Sequence, residues 1–252
     1  MKSLRNARLD EMENMVLNKG TVSLKELSQA FQISINTVRN DVDNLLQRGR
    51  LRKVYGGVAS LATDQTLVEY VIREDKSTGL KRELCKKAAA LVDDGDSIYL
   101  DSGTTTIHMV EYLKHKKNLK IVTNNIVVIS MLLSCDDIQV LGIGGKVNNK
   151  TKSFASPESL AMLEHYNIQK AFMAATAVNI RNGAMNSAFD ERSIKQKIVE
   201  KAEQVYLLAD STKFGKNALL TYCTLEELDA IVTDGTDSEY KALFKERGIR
   251  LI

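Results

Sequence analysis

Long apolar runs, patterned cysteines, clustered histidines and a strong charge of one sign are all missing from this chain of 252 residues. No apolar run approaches the roughly 18 residues of a membrane span. The opening MKSLRNARLDEM lacks the apolar core of a signal peptide, so a cytoplasmic chain without membrane contact is expected. Cys85, Cys135 and Cys223 are odd in number, far apart and without metal spacing, which points to reduced structural thiols. His108 and His115 share one predicted helix at a spacing of seven, but no carboxylate or cysteine joins them or His165 in a recognised metal pattern. The net charge of +3 is too small for a general nucleic-acid coat.

What is present, 44% hydrophobic and 27% charged residues, suits a globular protein with a sizeable core, and the length suggests two domains. The most telling stretch is Ser23 to Gly57. In SLKELSQAF, Ser23 can cap a helix while Glu26 reaches back to it, and Leu24, Leu27 and Phe31 share one face. After Gln32 and Ile33, Ser34 is the expected N-cap of a second helix that buries Val38, Val42, Leu45 and Leu46. Its outer face carries Asn36, Thr37, Arg39, Asn40, Asn44 and Gln47, side chains that suit base edges or phosphates. An earlier helix contributes Leu9, Met12 and Val16 to the same small core. Gly49 ends the second helix, and Arg50 to Gly57 alternates basic and apolar residues before a Gly-Gly turn, as the wing of a winged helix does.

Helix pairs with short turns also occur in ordinary bundles, so charge helps to decide. Residues 1–57 hold ten Lys and Arg against six acids, a net +4; with +3 for the whole chain, residues 58–252 carry −1. The basic excess lies entirely in the proposed DNA reader. Its candidate contacts are Ser34, Asn36, Thr37, Arg39, Asn40, Arg50, Arg52 and Lys53. The run VSLKELSQAFQISINTVRNDVDNLLQRGRLRKVYGGV resembles the DNA-binding domain of the DeoR family of bacterial transcriptional regulators, in which a Ser-x-x-Thr-Ile-Arg-Arg-Asp-Leu recognition helix precedes a Gly-Gly wing. Ser34, Thr37, Val38, Arg39, Asp41, Val42, Gly49, Gly56 and Gly57 carry the resemblance, while Asn40 replaces the second arginine.

Residues 58–75 lose clear periodicity and read as a linker between the domain at 1–57 and a second at 76–252. From Lys81 onward helices alternate with short apolar strands: SIYL, LKIVT, IQVLG, KAFMAA, QVYLLA, AIVT and IRLI. Helices are expected between them, including pieces around Pro157 to His165, Asp190 to Lys201, Leu225 to Leu228 and Asp237 to Arg247. This rhythm gives an α/β fold with a mostly parallel sheet.

Ligands of such sheets bind beyond the carboxyl ends of the strands, and those ends are polar here. Asp101-Ser102-Gly103-Thr104-Thr105-Thr106 follows the first strand, Asn124 the second, Lys146 the third, and Asp210 with Lys213 the strand QVYLLA. The DSGTTT loop offers hydroxyls and backbone N–H groups to an anion such as phosphate, or else it merely caps a helix. Lys146 and Lys213 are expected as cations at neighbouring strand ends that favour the anion. The chain has neither a Walker A ending nor a dinucleotide fingerprint, since Val147 stands at the third glycine position, so no nucleotide cofactor is expected.

LVDDGDSIYLDSGTTT, TNN, GGK and LLADSTKFGK extend the resemblance to the DeoR effector domain, which is similar in fold to ribose phosphate isomerase. The resemblance implies a phosphorylated sugar bound by residues 101–106, with Asp210 and Lys213 nearby. Glu191 and Lys195 match a family Glu and Lys, although their spacing equally suits a surface helix pair. AATAVNIRNG stands where many members have a glycine-rich segment. The combined expectation is a repressor of a carbohydrate operon, a homodimer or homotetramer released from double-stranded operator DNA by a sugar phosphate. A sugar phosphate isomerase with an appended DNA module is the alternative.

Overall fold

The structure, a computed structural model, describes residues 4–19, 21–49, 51–54, 56–60 and 78–252. It divides into two compact units, Met1–Arg73 and Glu74–Ile252.

The first unit runs α1 (Leu4–Lys19), β1 (Thr21–Ser23), α2 (Leu24–Phe31), α3 (Ile35–Gln47), β2 (Leu51–Val54) and β3 (Gly57–Ser60). Local signals set the helix ends. Ser23 Oγ accepts from Glu26 N at 3.1 Å while Glu26 Oε2 accepts from Ser23 N at 2.9 Å, a complete capping box. Ser34 Oγ likewise accepts from Thr37 N at 3.2 Å at the start of α3. The expected stripes meet in one core of Leu9, Met12, Val16, Leu27, Val38, Val42 and Leu45.

The strands form a three-stranded antiparallel sheet in the order β1-β3-β2. Its two central glycines have separate reasons. Gly56 adopts φ +75°, a left-handed turn conformation, whereas a Cβ on Gly57 would lie 2.4 Å from the Val22 carbonyl of the adjoining strand. Val58 to Ser60, expected at the head of the linker, instead complete β3, with Val58 buried in the core. Residues 61–75 of the expected linker lie outside the described residues.

The second unit opens with α4 (Thr78–Ala89) and β4 (Ser97–Leu100), then a 3-10 turn (Thr106–His108) that runs into α5 (Met109–Leu113). It continues through β5 (Leu119–Thr123), α6 (Ile126–Leu132), β6 (Ile138–Gly142), β7 (Val147–Asn148), β8 (Ser153–Phe154), α7 (Pro157–Leu163) and β9 (Ile168–Ala174). β10 (Ala177–Asn179), β11 (Gly183–Asn186), α8 (Phe189–Lys201), β12 (Ala202–Leu208), β13 (Leu220–Cys223), β14 (Ala230–Val232), α9 (Ser238–Glu246) and β15 (Arg250–Leu251) complete it.

Seven strands pair in parallel in the order β15-β14-β12-β9-β4-β5-β6. Both faces of the sheet are buried: Ile98 and Leu100 point one way from β4 and Tyr99 the other, and all three are inaccessible. Phe172 and Tyr206, registered partners on β9 and β12, stack at 5.3 Å. From β4 the chain winds outward to β5 and β6 on one side and, later, to β9, β12, β14 and β15 on the other. The loop after β4 therefore leaves the sheet where the winding reverses, the place where open α/β sheets hold ligands.

Two expectations change. Leu225 to Leu228 form a single turn rather than a helix: Leu228 N donates to the Leu225 carbonyl at 3.2 Å, and the next residue already pairs along the sheet, Asp229 N donating to the Val205 carbonyl at 3.0 Å. AATAVNIRNG is the end of β9 and the β10–β11 hairpin, part of a second, antiparallel sheet in the order β10-β11-β13. Gly183 sits there at φ +74°, where a Cβ would meet the Cys223 carbonyl at 2.2 Å.

Candidate functional site

In the first unit α3 presents the expected outer face. Ser34, Asn36, Arg39 and Asn40 are exposed and Thr37 is half-buried. Ser34 and Thr37 are engaged with each other, their hydroxyls 2.9 Å apart. Arg39 Nη1 donates weakly to Asn36 Oδ1 at 3.4 Å. Lys53 reaches from β2 to Asp43 on α3 at 3.3 Å, both side chains being exposed. Arg50 and the side chain of Arg52 lie outside the described residues.

Part of the basic excess is spent inside the unit. Arg8 Nε and Nη2 converge on Asp41 Oδ2 at 3.0 and 2.8 Å, which explains an acid on the recognition helix: Asp41 is buried and ties α3 to α1. Arg48 Nη1 contacts Asp10 at 2.8 Å and buried Glu13 at 2.9 Å, hydrogen bonds that raise its already high pKa. A sequence count cannot separate such internal pairs from surface charge.

In the second unit the residues after β4 are buried and bonded to one another. Asp101 Oδ2 accepts from Ala174 N at 2.9 Å and forms a short ion pair with Lys195 Nζ, which also donates to the Ala174 carbonyl at 3.0 Å. Ser102 Oγ donates to Glu191 Oε1 at 2.6 Å, and Ser153 Oγ donates to the same oxygen at 3.0 Å. Gly103 passes against the end of β9 so closely that a Cβ would lie 2.4 Å from Ala174 Cβ. Thr104 Oγ1 accepts from Lys81 Nζ at 3.3 Å, and the Thr105 carbonyl accepts from the Cys85 thiol at 2.9 Å. Thr106 Oγ1 lies 2.7 Å from the Asp101 carbonyl and 2.9 Å from that of Gly103, closing the loop on itself.

Asn124 joins this cluster from β5: its Oδ1 accepts from Tyr99 OH at 2.8 Å and its Nδ2 donates to the Phe154 carbonyl at 2.9 Å. Burial, reinforced by the charges of Asp101 and Glu191, raises the Tyr99 pKa well above the usual phenol value, so it remains a donor. Tyr222 is raised by burial and by Asp101, and its hydroxyl donates to the Ala174 carbonyl at 3.0 Å. Burial pushes the Cys85 thiol up to about 12 despite Lys81, which keeps it protonated.

Glu191 and Lys195 are thus not a surface pair; both are buried, and they engage Ser102 and Asp101 respectively. Their sequence does carry a signal, because Glu191, Ile194, Lys195 and Ile198 all occupy the buried stripe of α8. Lys81 carries the same kind of signal, on one buried stripe of α4 with Leu84, Cys85 and Ala88.

Asp210 and Lys213 stand at the end of β12, separated from β4 by β9. Asp210 is buried and caps the following 3-10 turn, accepting from Thr212 N at 3.0 Å and from the Thr212 hydroxyl. Lys146 is exposed after edge strand β6. Lys146 and Lys213 are consequently not at neighbouring strand ends: β6 and β12 are four strand positions apart, about 19 Å at the usual spacing of about 4.8 Å. A groove of about 650 Å³, bordered by Asn179, Arg181, Asn217, Glu239 and Tyr240, contains none of the residues expected to bind an effector. Among the described residues no group of three or more His, Cys, Asp or Glu is arranged to hold a metal ion, and no helix is long and apolar enough to cross a membrane.

Comparison with known proteins fits both units. The DeoR-like helix-turn-helix domain matches residues 8–64, and the DeoR C terminal sensor domain matches residues 76–235. Over 96% of both proteins the chain is 42% identical to the HTH-type transcriptional regulator IolR of Bacillus subtilis (strain 168). It is 34% identical to the Lactose phosphotransferase system repressor of Staphylococcus aureus (strain NCTC 8325 / PS 47), over 93% of this chain and 94% of that one. Among solved structures, ribose 5-phosphate isomerase A of Methanocaldococcus jannaschii is 17% identical over 55% of each chain, with a TM-score of 0.41. The relatives similar over nearly the whole length are named as regulators and repressors, which sets aside the enzyme alternative. The chain belongs to the DeoR family of transcriptional regulators.

Proposed function

We propose that the protein represses a carbohydrate utilisation operon and leaves its operator when a phosphorylated sugar binds around residues 101–106. It acts as a dimer or higher oligomer, because helix-turn-helix readers pair on two-fold sites. The observation that carries the effector half is the buried polar cluster where the sheet winding reverses, with Lys81 and Lys195 reaching the DSGTTT loop. Two ammonium groups beside three threonines suit an anion bearing hydroxyls.

Further support comes from atoms left over. Asp101 Oδ1 and Asn125 Nδ2 are buried without a hydrogen-bond partner among the described residues. An unmet buried polar group costs about 1–3 kcal/mol, a debt that ligand hydroxyls or water can cancel. Asn124, Asp210 and Lys213 border the same end of the sheet, while Lys146 belongs to its far edge and takes a peripheral role. The Lactose phosphotransferase system repressor among the relatives carries a sugar in its name, which agrees with this assignment.

Induction requires that the ligand bind the operator-free form more tightly. A gel-shift titration with operator duplex and a panel of sugar phosphates tests the proposal. Release by a phosphorylated sugar, and not by its unphosphorylated parent, is the expected result; if no sugar phosphate alters binding, the effector assignment fails.

A further inference from the structure

The exposed face of α3 is rich in amides and poor in cations. Asn36, Asn40, Asn44 and Gln47 recur at intervals of four, four and three, which places them within a sector of about 80° at the helical 100° per residue. Val38, Val42 and Leu45 are buried on the other side. Arg39 is the only basic residue within α3. Asp43 shares the outer sector but faces Lys53 of β2 at 3.3 Å, so the wing offsets the one acid that would repel a phosphate backbone there.

The amides are not equally engaged. Asn44 Nδ2 donates to the Asn40 carbonyl at 2.6 Å, and Asn36 Oδ1 receives Arg39 at 3.4 Å. No hydrogen bond engages the Asn40 side chain among the described residues. A carboxamide presents one donor and one acceptor in a fork. In the major groove that fork matches adenine, whose N6 donates and N7 accepts; guanine shows two acceptors and suits arginine or lysine instead.

We propose that α3 reads its operator half-site through adenine, with Asn40 making the principal amide-to-adenine contact and Asn36 a second. The two residues are about 6 Å apart along the helix axis, close to two base-pair steps of about 3.4 Å. The half-site therefore holds A·T pairs about two steps apart beneath α3, and Arg39 holds a guanine or phosphate beside them. This inference needs only the DNA-reading role and is independent of the effector.

The test is selection from a randomised duplex pool by the full-length protein and by Asn40→Ala and Asn40→Arg, followed by binding to the selected duplex with 7-deazaadenine replacing single adenines. Asn40→Ala is expected to reduce preference for one A·T pair about tenfold. 7-Deazaadenine at that pair should weaken the parent protein by a similar factor and leave Asn40→Ala unaffected, while Asn40→Arg should shift the pair towards G·C. Unchanged melting of Asn40→Ala, whose lost side chain is exposed, excludes misfolding as the cause. An identical motif selected by the parent protein and Asn40→Ala, or a motif without an A·T pair that depends on position 40, overturns the inference. Failure to enrich any motif overturns it too, and also counts against the DNA-reading role beneath it.

Discussion

The two units treat their polar side chains in opposite ways. Asn36, Arg39 and Asn40 on α3 are exposed and leave most of their hydrogen-bonding capacity to a partner, whereas Asp101, Ser102, Glu191 and Lys195 are buried and bonded to one another. Substitution on α3 should therefore alter recognition with little effect on folding. Around β4 these buried groups hold the fold, so substitution there strikes stability first.

The largest expected effect follows from the Asp101–Lys195 pair. Asp101→Ala strands the Lys195 ammonium among buried groups and should cost about 3–5 kcal/mol of stability in denaturant unfolding. Lys195→Ala should cost a similar amount, and the double variant much less than the sum. Additive losses would show that the two side chains do not act as a pair. Loss of induction in Asp101→Ala is thus no evidence for ligand contact unless the variant is shown to be folded. Ser102→Ala is the gentler probe of the DSGTTT loop, since Ser153 still donates to Glu191.

Arg39→Ala brings the comparison to the other unit. It should weaken specific operator binding by about 1–3 kcal/mol with the melting temperature unchanged. Lys53→Ala should weaken binding more uniformly across sequences and lower the salt slope by about one, with the freed Asp43 adding to the loss. Equal losses on operator and random duplexes for Arg39→Ala would remove it from sequence reading.

The smallest effect is a pH dependence confined to the second unit, which holds all three histidines. Burial, then Lys81 and Arg82, lowers the His108 pKa from 6.5, and its Nε2 is buried without a partner among the described residues. Between the folded pKa and 6.5 the unfolded chain binds more protons, so stability should fall as pH drops below about 6.5. His108→Gln should flatten that slope in urea unfolding at successive pH values; an unchanged slope assigns the effect elsewhere.

Much of the first unit was legible because its signals are local. Ser23 with Glu26 makes a cap within one turn, the spacing of Val38, Val42 and Leu45 states which side of α3 is inside, and Gly56 marks a turn. Strand order was not local information. Lys146 and Lys213 both follow strands, yet only the pairing of β4 with β5 on one side and β9 on the other shows that the sheet separates them. Lys81 reaches Thr104 across 23 residues and Lys195 reaches Asp101 across 94, contacts that no short window contains. The stripe of α8 held a clue in its two inward charges, but the isolated spacing of Glu191 and Lys195 looks the same on a solvated helix.

The central claim is that effector binding around residues 101–106 and operator binding by α3 exchange free energy, and linkage makes this reciprocal. The direct measurement is a pair of titrations: operator duplex Kd with and without a sugar phosphate that binds, and the Kd of that sugar phosphate with and without duplex. The account predicts weaker binding by the same factor in both directions. A sugar phosphate that binds the protein yet leaves the duplex Kd unchanged would contradict it.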